Sequence, residues 1–408
     1  MPEAASPITL HTLHNGLRVV LAPDETAQTV ALGFFVGTGA RDERPADLGE
    51  SHFLEHLMFK GSARLSAAEL NARLDALGGH VNAYTGEEST VYHAAALPER
   101  AGELLDTMGE LLRPALRAED VEVERGVILE EIAMYADDPA SRVFDLARSA
   151  YWDGHPLGHL VLGTVDTVSG LGVSGFRRAL DTRYGTHQTL LVACGALDED
   201  GLIRQAEGLT RDWPRGEFRR DHPPHSAQAR AVRVRDGRLG RNQFALVAPG
   251  VSARDPLREA AHVLTEIVGG DNGRLYWALI DSGLADSADL SHAEFIDAGT
   301  FEGGWSCDPE RAGRSLEVVR ALLDDLQQGG VDEVEVARAR RKLAVSAVLR
   351  AETPYGRLFG LGESALSLGQ PLGAQAQVAR ISGVTRDEVN ALLARRPFDA
   401  ATVAQLGP

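Results

Sequence analysis

The sequence predicts an α+β fold of two related halves, each a mainly antiparallel sheet with helices packed on one face. The length of 408 residues exceeds that of one ordinary core, which favours two domains or two similar halves. Short β-prone runs alternate with segments of 3.6-residue apolar periodicity, which indicates strands mixed with helices. The two halves of the chain also resemble one another, which points to duplication of one folding unit.

Composition and charge limit the classes of function. Hydrophobic residues make up 44% and charged residues 25% of the chain, as in a globular protein that buries a core. The formal net charge of -18 disfavours a nucleic-acid partner or an anionic membrane surface. Cys194 and Cys307 form no CxxC pair and are expected to be buried free thiols. Because Met1 to Leu13 lacks basic residues and no apolar run reaches membrane length, we expect a cytoplasmic protein.

The first half begins with a predicted hairpin followed by a strand and a helix. Two β-prone runs between residues 8 and 21 flank Asn15 and Gly16, a pair that favours a type I′ turn. The apolar run from Thr29 to Val36 predicts a second strand, and the spacing over 46–59 predicts a helix. That helix carries two histidines.

The next elements are a capped helix and a second hairpin. Ser66 and Glu69 form an S-x-x-E capping box for a helix that runs through Leu77. The segment 80–97 is rich in Val, Tyr and Thr and is interrupted by Gly86, which predicts a hairpin or a long bent strand. Helices are then predicted over 98–112 and 118–136.

The duplication is carried by two pairs of similar segments. The segment from Thr29 resembles that from Asn242, and the segment from Glu122 resembles that from Ala337. The text near the middle of the chain gathers Pro, Gly and charge, which is typical of a linker. We therefore predict a first repeat at residues 1–212, a linker at 213–230 and a degenerate second repeat at 231–408.

Polar residues present in only one copy are the better candidates for chemistry, because shared residues serve the common fold. Five polar residues of the first half have no equivalent in the second: His52, Glu55, His56, Glu124 and Glu131 fall opposite Ala261, Leu264, Thr265, Ala339 and Ser346. The first half alone is expected to hold the functional site.

The motif HFLEH at 52–56 indicates a metal site. On a helix, His52 and His56 lie one turn apart on one face and can both reach one ion, with Glu55 beside them. The alternative is a surface helix with solvated histidines, and the asymmetry between the two copies argues against it. A catalytic zinc site needs a third protein ligand, which a later segment must supply.

Three carboxylates of the helix from residue 118 could supply that ligand. The seven-residue interval places Glu124 and Glu131 on one face, whereas Glu130 points away. Glu131 is the expected ligand, with Glu124 behind it. A solvated acidic helix face is the alternative for both.

These motifs resemble a known family, the inverted-motif zinc peptidases that include pitrilysin, insulin-degrading enzyme and mitochondrial processing peptidase. The segments that carry the resemblance are HFLEH at 52–56, HVNAYTGEEST at 80–90, ERGVILEE at 124–131 and RYGTHQTLLVACG at 183–195. The resemblance implies a processing-peptidase-like metallohydrolase fold and zinc-dependent endopeptidase activity on short or unfolded peptides. The chain looks like the zinc-bearing subunit of a small two-repeat member.

The resemblance also implies roles for individual residues. One zinc ion per chain would be held by His52, His56 and Glu131. Glu55 would be the general base, and Glu124 would complete the catalytic set by supporting the ligands. An edge strand containing Asn82, Ala83 and Tyr84 would pair with an extended substrate through its main chain, although these three residues could equally be ordinary strand residues.

The second half departs from the family pattern. Members contribute an arginine and a tyrosine from this half, whereas this chain has Ile280 and Asp286 at those places. The resemblance therefore implies a heterodimer in which a sister subunit supplies both groups, and a homodimer remains open. A non-catalytic scaffold or assembly subunit of the same fold is the alternative function. Glu55 argues against it, because a structural zinc site does not need an adjacent free carboxylate.

Overall fold

The computed structural model describes residues 8–408, which contain strands β1–β11 and helices α1–α14. The strands are β1 Thr9–Thr12, β2 Arg18–Pro23, β3 Val30–Val36, β4 Val81–Thr85, β5 Thr90–Ala96, β6 Thr189–Gly195, β7 Arg230–Arg235, β8 Asn242–Pro249, β9 Ser287–Glu294, β10 Gly299–Cys307 and β11 Thr402–Gly407. The helices are α1 Glu50–Met58, α2 Ala67–Ala76, α3 Ala101–Leu111, α4 Ala118–Asp137, α5 Pro139–Trp152, α6 Val165–Gly170, α7 Val173–Arg183, α8 Glu199–Thr210, α9 Arg258–Gly269, α10 Ala312–Gly329, α11 Glu333–Ala351, α12 Pro354–Ser367, α13 Ala374–Gly383 and α14 Arg386–Ala394.

The chain divides into two compact units, and neither is one continuous stretch. The first unit contains 8–132, 159–221 and 349–374, and the second contains 133–158, 222–348 and 375–408. Each unit thus takes one helix from the other half of the chain, α12 in the first and α5 in the second. The division predicted at 1–212, 213–230 and 231–408 follows chain order and lacks this exchange. Residues 1–7, which belong to the segment Met1 to Leu13 used to predict a cytoplasmic protein, lie outside the described residues.

The first unit is built on a six-stranded sheet in the order β1-β2-β6-β3-β5-β4. Only the β2/β6 pair is parallel, so the prediction of a mainly antiparallel sheet is confirmed. Strands β3 and β6 are buried along their whole length, because both faces of the sheet are covered. Strand β4 lies at the edge and pairs only with β5 among the described strands.

Two separate cores flank this sheet. On one face, Phe34 and Tyr92 pack with apolar residues of several helices, including Phe53 of α1. On the other face, α12 places Leu358 and Leu361 against the sheet. The sequence predicted helices on one face, and the second layer is this helix from the distant half. Its apolar residues are close in space but far in sequence, so local periodicity does not reveal their partner.

The second unit has a five-stranded sheet in the order β7-β11-β8-β10-β9. It repeats the order β2-β6-β3-β5-β4 of the first sheet, with one parallel pair, β7/β11, at the corresponding place. Helix α5 contributes Val143 and Ala147 to the core on one face of this sheet. The predicted pair of related sheet-and-helix halves is therefore confirmed.

Most local predictions hold, with small differences at element ends. The first hairpin forms, but its turn is not type I′, because of the two central residues only Gly16 has a positive φ, at 93°. Asn15 instead accepts the Leu17 N–H through Oδ1 at 3.0 Å. Cys194 and Cys307 are buried free thiols, as predicted. None of the helices within 8–408 combines the length and apolar character that a membrane crossing requires.

Candidate metal centre

The helix that carries the HFLEH motif has a well-defined start. Gly49 precedes α1 with φ of 91°, and a Cβ there would lie 2.7 Å from the Leu162 carbonyl oxygen, so only glycine fits. The buried carboxyl group of Glu43 accepts hydrogen bonds from the backbone N–H groups of Gly49, at 2.8 Å, and Ser51, at 2.6 Å. These bonds satisfy two donors at the helix N-terminus and fix the entry of the chain into α1.

Apolar packing then sets the orientation of α1. Phe53, Leu54 and Leu57 are buried in the core of the first unit, and the Phe53 ring centroid lies 4.7 Å from that of Phe176. The two histidines emerge together, with ring centroids 4.6 Å apart. The sequence expectation that His52 and His56 share one helix face is therefore met in the structure.

The structure brings Glu131 of α4 to these histidines. Its Oε2 lies 3.7 Å from His52 Nε2 and 3.7 Å from His56 Nε2, and the three donor atoms lie within 4.8 Å of one another. Zinc bonds to nitrogen and oxygen ligands at about 2.0–2.2 Å, so two donors of a tetrahedral site lie roughly 3.4 Å apart. The spacing of these three atoms therefore fits one shared ion. Glu130, the residue before it, is exposed, in line with its predicted outward direction.

Glu124 has a different position from Glu131. Its Oε1 lies 2.8 Å from His56 Nδ1, and its other oxygen contacts Lys60 Nζ. A carboxylate only accepts, so Nδ1 of His56 donates, and in the neutral ring Nε2 keeps its lone pair toward Glu131. This carboxylate support is the usual arrangement behind a metal-binding histidine. Glu124 therefore acts through His56, while Nδ1 of His52 is buried with no hydrogen-bond partner among the described residues.

Glu55 lies outside the three-ligand group and is held separately. Its Oε2 accepts a hydrogen bond of 2.7 Å from the Thr85 hydroxyl at the end of β4. Burial raises the pKa of Glu55, and the Thr85 bond and nearby His56 partly oppose that rise. Glu55 thus lies next to the candidate ligands but is not one of them.

The pKa values of the histidines differ because their surroundings differ. Burial, with a smaller effect of His56, lowers the pKa of His52 to about 4, so this ring is neutral at neutral pH and keeps a lone pair. Burial also lowers the pKa of His56, but the bond to Glu124 and the nearby carboxylates outweigh it and raise the pKa overall. The pKa of Glu124 is lowered despite burial by its bonds with His56 and Lys60. The site thus concentrates negative charge around two imidazoles, which suits a divalent cation.

The predicted substrate residues lie on the edge strand β4. Ala83 packs against the core that contains α1, whereas Tyr84 packs in the core beneath α12. The Tyr84 hydroxyl donates to Glu363 at 3.4 Å, and its ring lies near that of Phe359. Asn82 accepts the Ala83 N–H through Oδ1 at 2.9 Å. The side chain of Tyr84 thus points away from the metal-ligand face, and any substrate role of this residue involves its main chain.

A second His-His-Glu group occurs in the second unit, where the sequence analysis had singled out no candidate: His262, His292 and Glu294. Its donor atoms are already engaged. His292 Nε2 accepts the Val251 N–H at 3.1 Å, which leaves the proton of a neutral ring on Nδ1. Both oxygens of Glu294 accept from Arg258. This group lacks the two free imidazole lone pairs that the first group offers.

The sequence analysis also missed three residues that support the first group. Lys60 contacts Glu124, Thr85 binds Glu55, and Glu43 caps α1. The only feature of the sequence that distinguished Lys60 is that lysine is rare in this chain: only Lys60 and Lys342 among the 41 basic residues are lysine. Thr85 lay within a segment that carried the family resemblance, but nothing in the sequence distinguished it there. Glu43 had no sequence signal.

Two protein families match the sequence of this chain, and the first match covers the residues of the candidate metal centre. The family described as Insulinase (Peptidase family M16) matches residues 18–165, which include every candidate ligand. The family described as Peptidase M16 inactive domain matches residues 176–343. The match that contains the candidate ligands is thus to the insulinase family, and the later match is to a domain described as inactive. This difference parallels the restriction of the five polar residues to the first copy of the duplication.

Individual relatives cover nearly the whole chain. An uncharacterized zinc protease of Streptomyces coelicolor is 33% identical over 97% of this chain and 89% of its own length. The mitochondrial-processing peptidase subunit beta of Caenorhabditis elegans is 28% identical over 92% of this chain and 84% of its own. The crystal structure of a protease from Helicobacter pylori shares the fold, with a TM-score of 0.90 at 19% identity, covering 98% of this chain and 100% of that one. The chain belongs to peptidase family M16, the insulinase family.

Proposed function

We propose that this protein is a zinc-dependent endopeptidase, or the zinc-bearing subunit of one, that hydrolyses short or unfolded peptides. The observation that carries the proposal is the arrangement of four side chains. His52, His56 and Glu131 present three donors to one point, and Glu55 stands beside them without joining the set. Zinc bound there would act as a Lewis acid and acidify water.

The residues of the chain supply the remaining steps. Glu55 takes a proton from the attacking water and delivers it to the leaving amine, and the Thr85 hydroxyl keeps its carboxylate in place. Strand β4 has a free edge within the described sheet, so an extended peptide can pair with its main chain. Such pairing is indifferent to side chains and requires an unfolded segment, which supports short or unfolded peptides as substrates.

A quenched fluorescent flexible peptide tests the activity. We expect the wild-type protein to cleave it, a chelator to abolish cleavage, and added zinc to restore it. The variant Glu55→Gln keeps the size of the side chain but cannot accept the proton, so cleavage should fall by at least about 100-fold. Glu130→Gln, an exposed acid of α4, is the matched control and should cleave like the wild type. Cleavage that withstands both the chelator and Glu55→Gln would exclude this mechanism.

The alternative is a non-catalytic scaffold or assembly subunit of the same fold. The second half matches a domain described as inactive, and that description concerns the half without the ligands. Glu55 favours the enzyme, because a purely structural zinc site has no use for an unligated carboxylate beside it. A protein that binds zinc and cleaves none of a set of unfolded peptides, alone or with a partner, would support the scaffold.

We also propose that a second subunit completes the site. Ile280 and Asp286 stand where the family resemblance places an arginine and a tyrosine, and one relative is named as a subunit. Loss of donors of this kind commonly reduces rates by about 100-fold or more. Mass measurement after co-expression with a candidate sister chain should reveal a heterodimer with higher activity than this chain alone. Full activity of the isolated monomer would contradict the proposal. A mass equal to two copies of this chain would indicate a homodimer instead.

A further inference from the structure

We propose that Lys60 is a positioning residue for the metal centre and that, acting through Glu124, it sets the affinity for zinc. The inference rests on the zinc site of the proposed function but does not require peptide hydrolysis. It concerns a residue that neither holds the metal nor contacts the candidate general base in the structure.

A chain of three contacts links Lys60 to the ligands. Its Nζ contacts one oxygen of Glu124, and the other oxygen of Glu124 lies 2.8 Å from His56 Nδ1. The far nitrogen of the same ring, Nε2, faces the Glu131 carboxylate at 3.7 Å. Oε1 of Glu124 therefore has a hydrogen-bond partner and Oε2 has an ammonium group in contact, and the two partners together favour one orientation of the carboxylate. That orientation directs the Nε2 lone pair of His56 to the shared point.

Burial makes the lysine contact important. The Glu124 side chain is 6% exposed, whereas that of Lys60 is 31% exposed. A buried carboxylate that loses a charged partner is left without compensation, and it turns toward water or toward another donor. Lys60 is the cation that holds Glu124 in the protein interior, while its own chain remains partly solvated. The backbone of Lys60 is fixed in turn, because Arg117 donates to its carbonyl oxygen at 3.1 Å.

The choice of lysine also has a physical reason. The chain uses arginine almost everywhere, with Lys60 and Lys342 as its only lysines. An arginine fork binds a carboxylate best through both oxygens, but one oxygen of Glu124 is taken by His56. A compact ammonium needs only the remaining oxygen. The geometry therefore favours lysine at this place in an arginine-rich chain.

A direct electrostatic effect of Lys60 on the metal would have the opposite sign. A cation near a dication repels it, so a lysine whose charge was felt at the metal would weaken binding. The two possibilities differ in sign. Loss of Lys60 lowers zinc affinity if the residue positions Glu124, and it raises zinc affinity if repulsion dominates.

Competition with a chromophoric chelator measures zinc affinity in the absence of substrate. We expect Lys60→Met to raise the Kd for zinc by roughly 10-fold, the lower end of the effect of removing a group bonded to a metal ligand, because Lys60 acts one contact further from the ligand. Lys342→Met is the matched control, because it removes the other lysine, which pairs with Glu266 in the second unit. Its zinc affinity should equal that of the wild type. Thermal unfolding checks that each variant is folded. If Lys60→Met does not fold, Lys60→Gln is measured in its place.

A double-mutant cycle tests whether Lys60 acts through Glu124. Glu124→Gln should weaken zinc binding, and adding Lys60→Met to it should change the Kd by less than about twofold. Equal effects of Lys60→Met in both backgrounds, an unchanged Kd, or tighter binding would overturn the inference while leaving the proposed function intact. A wild-type chain that binds no zinc would instead overturn the proposed function, and this inference with it.

Discussion

The Thr85 hydroxyl donates a hydrogen bond of 2.7 Å to Oε2 of Glu55. Thr85 is the last residue of the edge strand β4, and Glu55 lies in α1. The bond therefore joins the strand expected to bind substrate to the candidate general base. It also gives Glu55 a partner that does not compete for the metal.

Removal of this hydroxyl should slow the chemical step. The change Thr85→Val keeps the shape of the side chain, and a hydrogen bond to a charged group contributes about 1.5–3 kcal/mol, so we expect kcat to fall by about 10-fold or more. The KM and the zinc affinity should change little. Thr85→Ser, which retains the hydroxyl, should recover most of kcat. Steady-state kinetics on the flexible peptide provide the measurement, and equal kcat values for the Val variant and the wild type would show that the bond is dispensable.

The third ligand should be separable from its neighbour in sequence. Glu131→Gln removes the carboxylate that faces both imidazoles and should reduce zinc binding by at least about 10-fold, whereas Glu130→Gln should leave it unchanged. Metal content after dialysis and a Kd from chelator competition check this. Equal zinc content in both variants would mean that Glu131 is not a ligand.

Glu43 should make stability depend on pH. Burial raises its folded-state pKa from 4.5 to about 8, against the opposing hydrogen bonds from Ser51 and Gly49 and the charge of Arg183. The folded state therefore binds this proton more tightly than the unfolded chain does. Its contribution to stability is fully present below pH about 4.5 and is lost as pH rises toward 8.

Comparison of the wild type with Glu43→Gln isolates this effect. The amide resembles the protonated acid, so the free energy of unfolding of the variant should fall less between pH 5 and 8 than that of the wild type. Denaturant unfolding at several pH values measures both. If the free energies of unfolding of the wild type and the variant changed with pH in the same way, Glu43 would be ionised in the folded protein at all these pH values.

The capping box of α2 should contribute to stability without affecting the metal site. Ser66 Oγ accepts the Glu69 N–H at 3.3 Å, and Glu69 Oε2 accepts the Ser66 N–H at 2.8 Å. Ser66→Ala should therefore lower the free energy of unfolding by about 1 kcal/mol, and Ser66→Thr should lower it by less. Chemical denaturation gives both values. A Thr variant as unstable as the Ala variant would argue against the side-chain cap.

Several features could be predicted because they depend on neighbours in the chain. The capping box at Ser66 and the one-turn spacing of His52 and His56 are local patterns that the structure reproduces. The prediction of a type I′ turn at Asn15 and Gly16 was wrong. Asn15 does not adopt a left-handed conformation, and its side chain instead accepts the Leu17 N–H. Local propensity offered both solutions, and the sequence did not choose between them.

The sequence by itself determined the two related halves, the helix with its histidine pair and the half that holds the polar residues. The sequence also predicted Glu131 as the third ligand with Glu124 behind it, but only the tertiary structure placed Glu131 Oε2 3.7 Å from Nε2 of both histidines and Glu124 against His56, 68 positions away along the chain. The tertiary structure alone also showed that α5 belongs to the second unit and α12 to the first. It likewise showed that the Thr85 hydroxyl binds Glu55. The physical reason is that helical and strand periodicity fixes which face a residue occupies, whereas packing between distant elements fixes what that face meets.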